Sequence, residues 1–343
     1  MSNKLINKFD NYLLDNRIPI RSSIQLTYNC NFKCIHCYQT PIKNQPLLEL
    51  STKDWFLIID KLKEKGCIYI TFTGGEVFTR KDFLDIYLYA YNKNFKIHII
   101  SNGSLITNDA IDILSKFKPE SISITLYGIN NKTYNDFTRS HNSFDLVHNS
   151  ILKLKTNGIN LKIQVIANIV NENEINLIRN FAKKNKFNFH LYGKIRCYLD
   201  GNSYPKNLQV SPSDLINLYS TEEKLKLKQL LETPHIAWDN GIKKCKAGLT
   251  NTYIDPQGSM YLCNLSNKNK FSLLENSFEY CWDKILKERK SEIETKTYCS
   301  NCSNKGICGL CAPIFKNEYN NLYIQPKNEC NFSAEFTQIL LKG

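Results

Sequence analysis

The chain has 343 residues, of which 42% are apolar, with a formal net charge of +13 and 13 cysteines. Its length predicts one large domain and one smaller domain, and its apolar content is that of a globular protein. So many cysteines in a chain of this length are not the pattern of a small secreted disulfide scaffold. Because the lysines are spread along the chain, the positive charge by itself indicates neither a nucleic-acid site nor a membrane-binding site.

The N-terminal residues contain no recognisable targeting signal. Residues 1–21 alternate polar and apolar side chains and lack the apolar stretch of a signal peptide. The chain has no run of 18 apolar residues that would predict a membrane span. We therefore expect a cytoplasmic protein, in which reduced cysteines act as metal ligands or as reactive groups.

Strand and helix patterns alternate from residue 23 to about residue 192, after a short amphipathic helix predicted at 4–15. The sequence predicts strands at 24–28, 68–73, 97–101, 121–126, 161–169 and 187–191. Helices are predicted between them, at 52–65, 81–92, 108–116, 144–157 and 174–185. Repeated units of this length predict a parallel sheet or barrel, in which ligands bind at the carboxyl ends of the strands.

Three cysteines with the spacing C-x3-C-x2-C follow the first predicted strand. They are Cys30, Cys34 and Cys37. A closed iron–sulfur cluster uses four thiolates, so three thiolates leave one iron open to a small molecule. Zinc sites usually combine two pairs of cysteines, and this triplet fits zinc poorly. The other interpretation is three buried structural cysteines.

At these residues the sequence resembles the radical S-adenosylmethionine (SAM) superfamily. The family signature is C-x3-C-x-Φ-C, where Φ is usually aromatic, and His36 stands at that position. The resemblance implies a partial (β/α)6 barrel and a [4Fe–4S] cluster whose open iron chelates SAM. It also implies that one electron cleaves SAM to a 5′-deoxyadenosyl radical, which takes a hydrogen atom from the substrate.

The resemblance places further SAM contacts, with His36, at the ends of later strands. Gly74-Gly75-Glu76 follows the second predicted strand and matches the family's GGE motif, which binds the SAM amino group. Glycines let the backbone approach a ligand closely, and a carboxylate can hold an ammonium group. The third strand ends at Ser101 and Asn102, where the family often contacts the ribose. The last candidates are Thr125 and Arg139, whose planar guanidinium suits the SAM carboxylate.

A second set of seven cysteines lies in the last hundred residues. They are Cys245, Cys263, Cys299, Cys302, Cys308, Cys311 and Cys330. Residues 255–258, Asp-Pro-Gln-Gly, are typical of a type I turn, so they predict a hairpin that brings Cys263 back beside Cys245. A zinc ribbon needs only four cysteines. Seven is more than one such site uses and one fewer than two closed sites need.

This layout resembles the SPASM domain, the C-terminal extension of radical SAM enzymes that modify peptides and proteins. The family run is C-x2-C-x5-C-x3-C, and the last gap here has two residues. The resemblance implies two auxiliary clusters, and therefore three [4Fe–4S] clusters in all. It assigns one closed cluster to Cys299, Cys302, Cys308 and Cys330.

The resemblance assigns the other auxiliary cluster to Cys245, Cys263 and Cys311. Some relatives have a fourth cysteine at the position of Asn251. That cluster is therefore expected to be open, or to be completed by Asn251, a water or a substrate group.

The predicted fold class is α/β, with four segments along the chain. They are an N-terminal helical extension at 1–22, the partial barrel at 23–195, a helical bridging segment at 196–241 and a SPASM domain with a β-hairpin at 242–343. Sulfatase-maturing relatives have a catalytic Asp directly after the hairpin cysteine, where this chain has Asn264. Only 29 residues precede Cys30, so a leader-binding domain is expected on a separate protein.

The leading hypothesis is an enzyme that modifies a ribosomally made precursor peptide by a thioether or carbon–carbon cross-link. Its electron donor would be a flavodoxin or ferredoxin. One alternative is a peptide epimerase, in which Cys197 returns a hydrogen atom to the substrate radical. A sulfatase-maturase-like enzyme is another. A zinc-stabilised nucleic-acid-binding protein is the alternative from a different class, although the sequence shows no recognisable nucleic-acid-binding module.

Overall fold

The computed structural model describes residues 3–39, 48–232, 238–239, 242–243, 245–266, 269–293, 298–299, 301–321 and 324–342. The strands are β1 (Arg21–Gln25), β2 (Tyr69–Thr73), β3 (Lys96–Ser101), β4 (Ser121–Thr125), β5 (Leu161–Ile166), β6 (Asn188–Tyr192), β7 (Trp238–Asp239), β8 (Ile242–Lys243), β9 (Asn251–Ile254), β10 (Ser259–Tyr261) and β11 (Phe271–Ser272). The helices are α1 (Asn3–Asp15), α2 (Thr52–Glu64), α3 (Phe83–Asn92), α4 (Asn108–Lys116), α5 (Asn131–Thr138), α6 (Ser143–Thr156), α7 (Ile175–Lys184), α8 (Pro212–Leu218), α9 (Thr221–Glu232), α10 (Phe278–Ile293), α11 (Lys305–Cys308), α12 (Ala312–Tyr319) and α13 (Lys327–Lys342).

The main sheet confirms the predicted α/β fold class. Its strand order is β11-β10-β9-β1-β2-β3-β4-β5-β6, and the strands β1 to β6 are parallel neighbours in chain order. A helix follows each of the first five strands, as parallel neighbours require. All six predicted barrel strands are present, with ends shifted by a few residues. This order places the carboxyl ends of six consecutive strands along one rim of the sheet.

Local signals in the sequence explain where two of these helices begin and end. Ser51 caps α2 with a reciprocal capping box, in which the Ser51 side chain accepts from the backbone of Asp54 and the Asp54 carboxylate accepts from the backbone of Ser51. Gly66 and Gly158 follow the ends of α2 and α6 with φ of +82° and +69°. Glycine adopts this left-handed conformation without a steric penalty, so both helices stop there.

The predicted hairpin is present, and it extends the barrel sheet. Strand β9 pairs antiparallel with β10 on one side and parallel with β1 on the other. In the turn, Asp255 O accepts from Gly258 N at 2.9 Å, and Gly258 has a φ of +77°. This positive φ strains any residue with a side chain, and a Cβ at Gly258 would also lie 2.6 Å from Leu50 Cδ1, so the turn strongly favours glycine. The hairpin therefore fixes the cysteine-rich region against the first barrel strand.

A buried ion network ties the segment after β6 to the C-terminal helices. Lys206 Nζ lies 2.6 Å from a carboxylate oxygen of both Glu318 and Glu329, and Lys194 Nζ lies 3.2 Å from Glu329. The side chains of Glu318 and Glu329 are only 3% and 9% exposed. Burial would lower the pKa of Lys206, but the two carboxylates outweigh burial and raise it. The network therefore links the barrel rim to α12 and α13.

Within the described ranges, none of the helices is long and apolar enough to cross a membrane.

Candidate functional site

A cavity of about 590 Å³ opens at the carboxyl ends of the parallel strands. Residues from all six strand ends or the loops after them line it, among them Thr73, Ser101, Thr125, Gln164, Leu191 and Tyr192. Parallel sheets and barrels bind ligands at this rim because the loops that follow the strands converge there. The cavity is therefore the candidate active site that the strand pattern predicts.

The cysteine triplet forms one wall of this cavity. Cys30, Cys34 and Cys37 all line it, as the sequence predicted from their place after β1. Helix α5 holds their loop in place, because Lys33 N donates to Thr138 O at 2.8 Å and Ile35 N donates to Phe137 O at 3.1 Å. The sequence pattern did not predict α5, so this support was missed. His36 also lines the cavity, and its ring lies 4.8 Å from that of Phe137.

The two glycines of the GGE motif allow the second loop to lie against the first. Gly75 N donates to Thr27 O at 2.9 Å, and Glu76 N donates to Asn29 O at 2.8 Å. A Cβ at Gly74 would lie 2.5 Å from Thr27 O, and one at Gly75 would lie 2.2 Å from Asn29 O. No side chain fits at either position, so both glycines are needed to bring this loop beside the cysteines.

Glu76 is buried behind the cavity wall, and its contacts are with the β3 loop. Its carboxylate accepts hydrogen bonds from Ser101 Oγ at 2.8 Å and from Asn102 N at 2.6 Å. Burial raises the pKa of Glu76 from 4.5 to about 7, although these hydrogen bonds by themselves would lower it. Glu76 is not among the residues that line the cavity. Its predicted contact with the SAM amino group stays a prediction, and its observed contacts fix Ser101 and Asn102, which do line the cavity.

The raised pKa of Glu76 predicts a specific dependence of stability on pH. The folded chain binds this proton more tightly than the unfolded chain, so the contribution of Glu76 to the free energy of unfolding is fully present below about pH 4.5 and is lost as the pH rises through about 7. The expected loss is about 3 kcal/mol. We therefore expect the difference in melting temperature between wild type and Glu76→Gln to shift against wild type as the pH rises from 5 to 8. Thermal unfolding of both proteins at each pH measures this difference. A constant difference would contradict this.

Asn102 connects the β3 loop to the cysteine loop. Its side-chain nitrogen donates to Asn31 Oδ1 at 2.9 Å and lies 3.9 Å from Cys30 Sγ. Thr125 at the end of β4 lines the cavity as predicted, and Gln164 lines it while donating to Ser123 Oγ at 3.2 Å. Asn102 therefore joins the β3 loop to the cysteine loop, whereas Gln164 is held separately by Ser123.

Two polar residues that follow the strands lie outside the cavity, and one of them, Arg139, is a predicted SAM contact. Arg139 is exposed at the end of α5, with a φ of +55°, and it is not among the residues that line the cavity. Its contact with the SAM carboxylate stays a prediction. Asn168 is fully buried in the loop after β5, where its side-chain oxygen accepts from Val170 N at 2.9 Å. It shapes that loop and does not line the cavity.

Cys197 is buried in the ion network and does not line the cavity. Its side chain is 6% exposed, and its backbone N lies 3.5 Å from Glu318 Oε1. Burial, with a further contribution from Glu318, raises the pKa of the Cys197 thiol to about 11. Lys194 and Arg196, which precede it in the chain, both line the cavity. The sequence placed Cys197 near the rim, and its predicted role as a hydrogen donor stays a prediction.

Tyr38 and Asn264 both line the cavity, and the sequence did not lead us to predict that they form a pair there. Asn264 Nδ2 donates to the Tyr38 hydroxyl oxygen at 3.3 Å. Burial, supported by the nearby thiols of Cys37 and Cys263, raises the pKa of Tyr38 to about 12. The tyrosine therefore stays protonated. Their positions directly after Cys37 and Cys263 were the sequence signal, since the two cysteine motifs were expected to meet at the same site.

The four cysteines of the predicted closed cluster surround one small cavity. Cys299, Cys302, Cys308 and Cys330 all line it. Burial, with further contributions from Cys308, Cys302 and Cys330, raises the pKa of Cys299 to about 12. Because all four side chains line the same small cavity, they lie close together, as the ligands of a cluster must.

Two cysteines of the other auxiliary set, Cys245 and Cys263, lie near Tyr253. Cys245 is exposed and Cys263 half-buried, and both contribute to the pKa of Tyr253, which burial raises to about 12. Cys311 packs in the small apolar cluster of Cys308 and Leu310, which Leu265 also contacts. Asn251 lies on β9, and its side-chain hydrogen bond with Tyr253 acts to lower the pKa of that tyrosine.

The donor set of the described residues fits clusters better than single ions. No group of three or more His, Cys, Asp or Glu side chains converges on one ion position in the described ranges. Cubane ligands need not converge in this way, because each thiolate binds a different iron. A wall of three cysteines facing a cavity, beside glycines where no side chain fits, suits a [4Fe–4S] cluster with an open iron.

Comparison with known proteins supports this interpretation. The sequence model of the Radical SAM superfamily matches residues 24–182. The chain is 27% identical over 270 residues to the sporulation killing factor maturation protein SkfB of Bacillus subtilis, an alignment that covers 77% of this chain and 65% of SkfB. It is 25% identical over 308 residues to the mycofactocin maturase MftC of Mycolicibacterium smegmatis, covering 84% of this chain and 77% of MftC.

A solved structure has the same fold. Streptococcus suis SuiB bound to its precursor peptide SuiA superposes with a TM-score of 0.71 at 19% identity, over 94% of this chain and 79% of SuiB. The parallel strands and the cysteine-lined cavity at their carboxyl ends agree with the match to the radical SAM superfamily. The superfamily whose sequence model matches residues 24–182 implies a [4Fe–4S] cluster and SAM.

Proposed function

We propose that this chain is a peptide maturase that cross-links a ribosomally made precursor peptide. The observation that carries the proposal is the cavity at the strand ends, which is lined both by Cys30, Cys34 and Cys37 and by Asn264 of the cysteine-rich region. The relatives SkfB and MftC are named as maturation proteins, and SuiB was solved with a precursor peptide. A peptide in this cavity would lie between the two cysteine regions.

The proposed cofactor sites follow the cysteine positions. Cys30, Cys34 and Cys37 would hold the SAM cluster, and the seven later cysteines would hold two auxiliary clusters in a SPASM-type domain. When bound, these groups supply a 5′-deoxyadenosyl radical that removes one hydrogen atom from the peptide, and an acceptor for the second electron. Gly74 and Gly75 shape the SAM side of the cavity, and Glu76 fixes Ser101 and Asn102 there. An external flavodoxin or ferredoxin would supply the first electron.

Two observations favour a cross-link over the other radical reactions. An epimerase needs a hydrogen donor in the cavity, but the only cysteines among the described lining residues are the three of the triplet. A sulfatase-maturase-like enzyme uses an Asp as a base after the hairpin cysteine, and the amide of Asn264 cannot accept a proton at neutral pH. The lining therefore lacks both the thiol donor of an epimerase and the Asp base of a sulfatase-maturase-like enzyme among its described residues, which favours the cross-link.

The test is an anaerobic reaction with SAM, dithionite and synthetic peptides that match the short reading frames flanking the gene. A cross-link removes two hydrogens, so the expected product is about 2 Da lighter, with the bond located by tandem mass spectrometry. A separate leader-binding protein, if encoded nearby, is added in a parallel reaction. A product with unchanged mass that gains one solvent deuterium at Cα in D2O would contradict the cross-link and support an epimerase.

The replacement Cys197→Ala also distinguishes cross-linking from epimerisation, by a change in the protein instead of an analysis of the product. Because this thiol is buried in the ion network, we expect the variant to keep most of its cross-linking activity. The same reaction, followed as the yield of the lighter product per 5′-deoxyadenosine, measures this. Loss of product while SAM cleavage continues would show that the thiol takes part in the chemistry.

A further inference from the structure

Arg289 on helix α10 lies directly against one of the predicted cluster ligands. Its Nη1 donates to Ala247 O at 2.8 Å and lies 3.6 Å from Cys245 Sγ. The arginine is only 7% exposed. Gly248 packs beside the same side chain, since a Cβ built on it would lie 3.5 Å from Arg289 Cδ, an ordinary van der Waals contact. The guanidinium is therefore held over the turn that begins with Cys245.

The charge of Arg289 has no carboxylate partner in the described part of the chain. None of the ion pairs found there includes it. Its Nε is buried, and among the described residues it has no hydrogen-bond partner. A buried cation without an anion is costly, because desolvation is not compensated. The sulfur of Cys245 lies 3.6 Å from Arg289 Nη1, and it becomes anionic when it binds iron, so it can supply the missing negative charge.

Hydrogen bonds to sulfur and nearby charge set the reduction potential of an iron–sulfur cluster. An N–H group that donates to a ligand thiolate, and a positive charge beside it, both stabilise the reduced form, which carries one more electron. We propose that Arg289 is a positioning residue that holds Cys245 as a thiolate ligand and raises the reduction potential of the cluster bound there. The inference rests on the proposed function, since it needs that auxiliary cluster.

The test is an EPR-monitored redox titration of the reconstituted protein under anaerobic conditions. Arg289→Met removes the charge and the donors, Arg289→Lys keeps the charge, and Lys290→Met removes an exposed charge from the adjacent position on α10 as a matched control. We expect Arg289→Met to lower the midpoint potential of one cluster, Arg289→Lys to lower it less and Lys290→Met to leave it unchanged. The variant Cys245→Ala should abolish or alter the signal of that same cluster.

The outcomes distinguish this inference from the function on which it rests. Iron and EPR analyses that find fewer than three clusters in wild type would overturn both the auxiliary-cluster assignment and this role of Arg289. Three clusters whose potentials are the same in Arg289→Met and wild type would overturn the inference alone. Complete loss of one cluster in both Arg289→Met and Arg289→Lys would show that the arginine only anchors the turn, and would also overturn it.

Discussion

Replacing Cys30, Cys34 and Cys37 together by Ala is expected to abolish the reductive cleavage of SAM. These thiols form one wall of the rim cavity, and no neighbouring group among the lining residues can replace three thiolate ligands. The iron content should fall from about twelve to about eight atoms per chain, at four per cubane. The auxiliary cysteines lie in the C-terminal region and should keep their clusters. Anaerobic iron and sulfide assays, with 5′-deoxyadenosine measured by chromatography, give both quantities.

A matched control uses a cysteine outside the proposed sites. Cys67 is 1% exposed, and burial raises the pKa of its thiol to about 12, so it stays protonated and apolar. Cys67→Ala should therefore keep all of its iron and its SAM cleavage. Formation of 5′-deoxyadenosine by the triple variant would mean that SAM is bound elsewhere. Zinc in place of iron in wild type would support the zinc-stabilised alternative.

Replacing Lys206 by Met is expected to cause a large loss of stability. The substitution leaves Glu318 buried without a cation and leaves Glu329 with Lys194 alone. Breaking a buried pair from one side typically costs about 3–5 kcal/mol. For a chain of this size we expect the melting temperature to fall by roughly 5–15 °C. Thermal unfolding followed by circular dichroism measures the change.

The control for Lys206→Met is Lys226→Met, which removes the same charge from an exposed pair with Glu222 on α9. Exposed pairs of this kind contribute little to stability because solvent screens them, so its melting temperature should barely change. The double variant Lys206→Met/Glu318→Gln should recover part of the loss, because it removes one uncompensated charge. Equal melting temperatures for Lys206→Met and Lys226→Met would mean that the network contributes nothing to the attachment of α12 and α13.

The barrel was predictable because each of its strands carries a local signal. The apolar runs between capped helices located all six parallel strands, and the capping box at Ser51 and the glycines at 66 and 158 placed helix ends directly. Helix α5 was missed because its buried residues, such as Tyr134 and Phe137, lie among polar ones. It is stabilised by tertiary contacts with the cysteine loop, which a local pattern does not contain.

The cysteine-rich region was less predictable for a related reason. The turn predicted at residues 255–258 is present in the structure. The pairing of β9 with β1, however, joins residues more than 200 positions apart, and no short motif indicates that pairing. The role of Glu76 in holding Ser101 and Asn102 could not be derived from the sequence either. The motif suggested a contact with the ligand, whereas in the structure Glu76 is buried and accepts hydrogen bonds from Ser101 and Asn102. The ion network around Lys206 joins charges that are widely separated in sequence.

Deuterium transfer from peptide to SAM tests the proposed maturase most directly. The candidate precursor peptide is prepared fully deuterated at carbon and incubated anaerobically with the protein, SAM and dithionite, and the 5′-deoxyadenosine is analysed by mass spectrometry. If the SAM-derived radical attacks a peptide carbon in this cavity, the 5′-deoxyadenosine formed together with the lighter peptide should contain one deuterium. Unlabelled 5′-deoxyadenosine alongside an unchanged peptide, for every peptide encoded beside the gene, would contradict peptide modification by this protein.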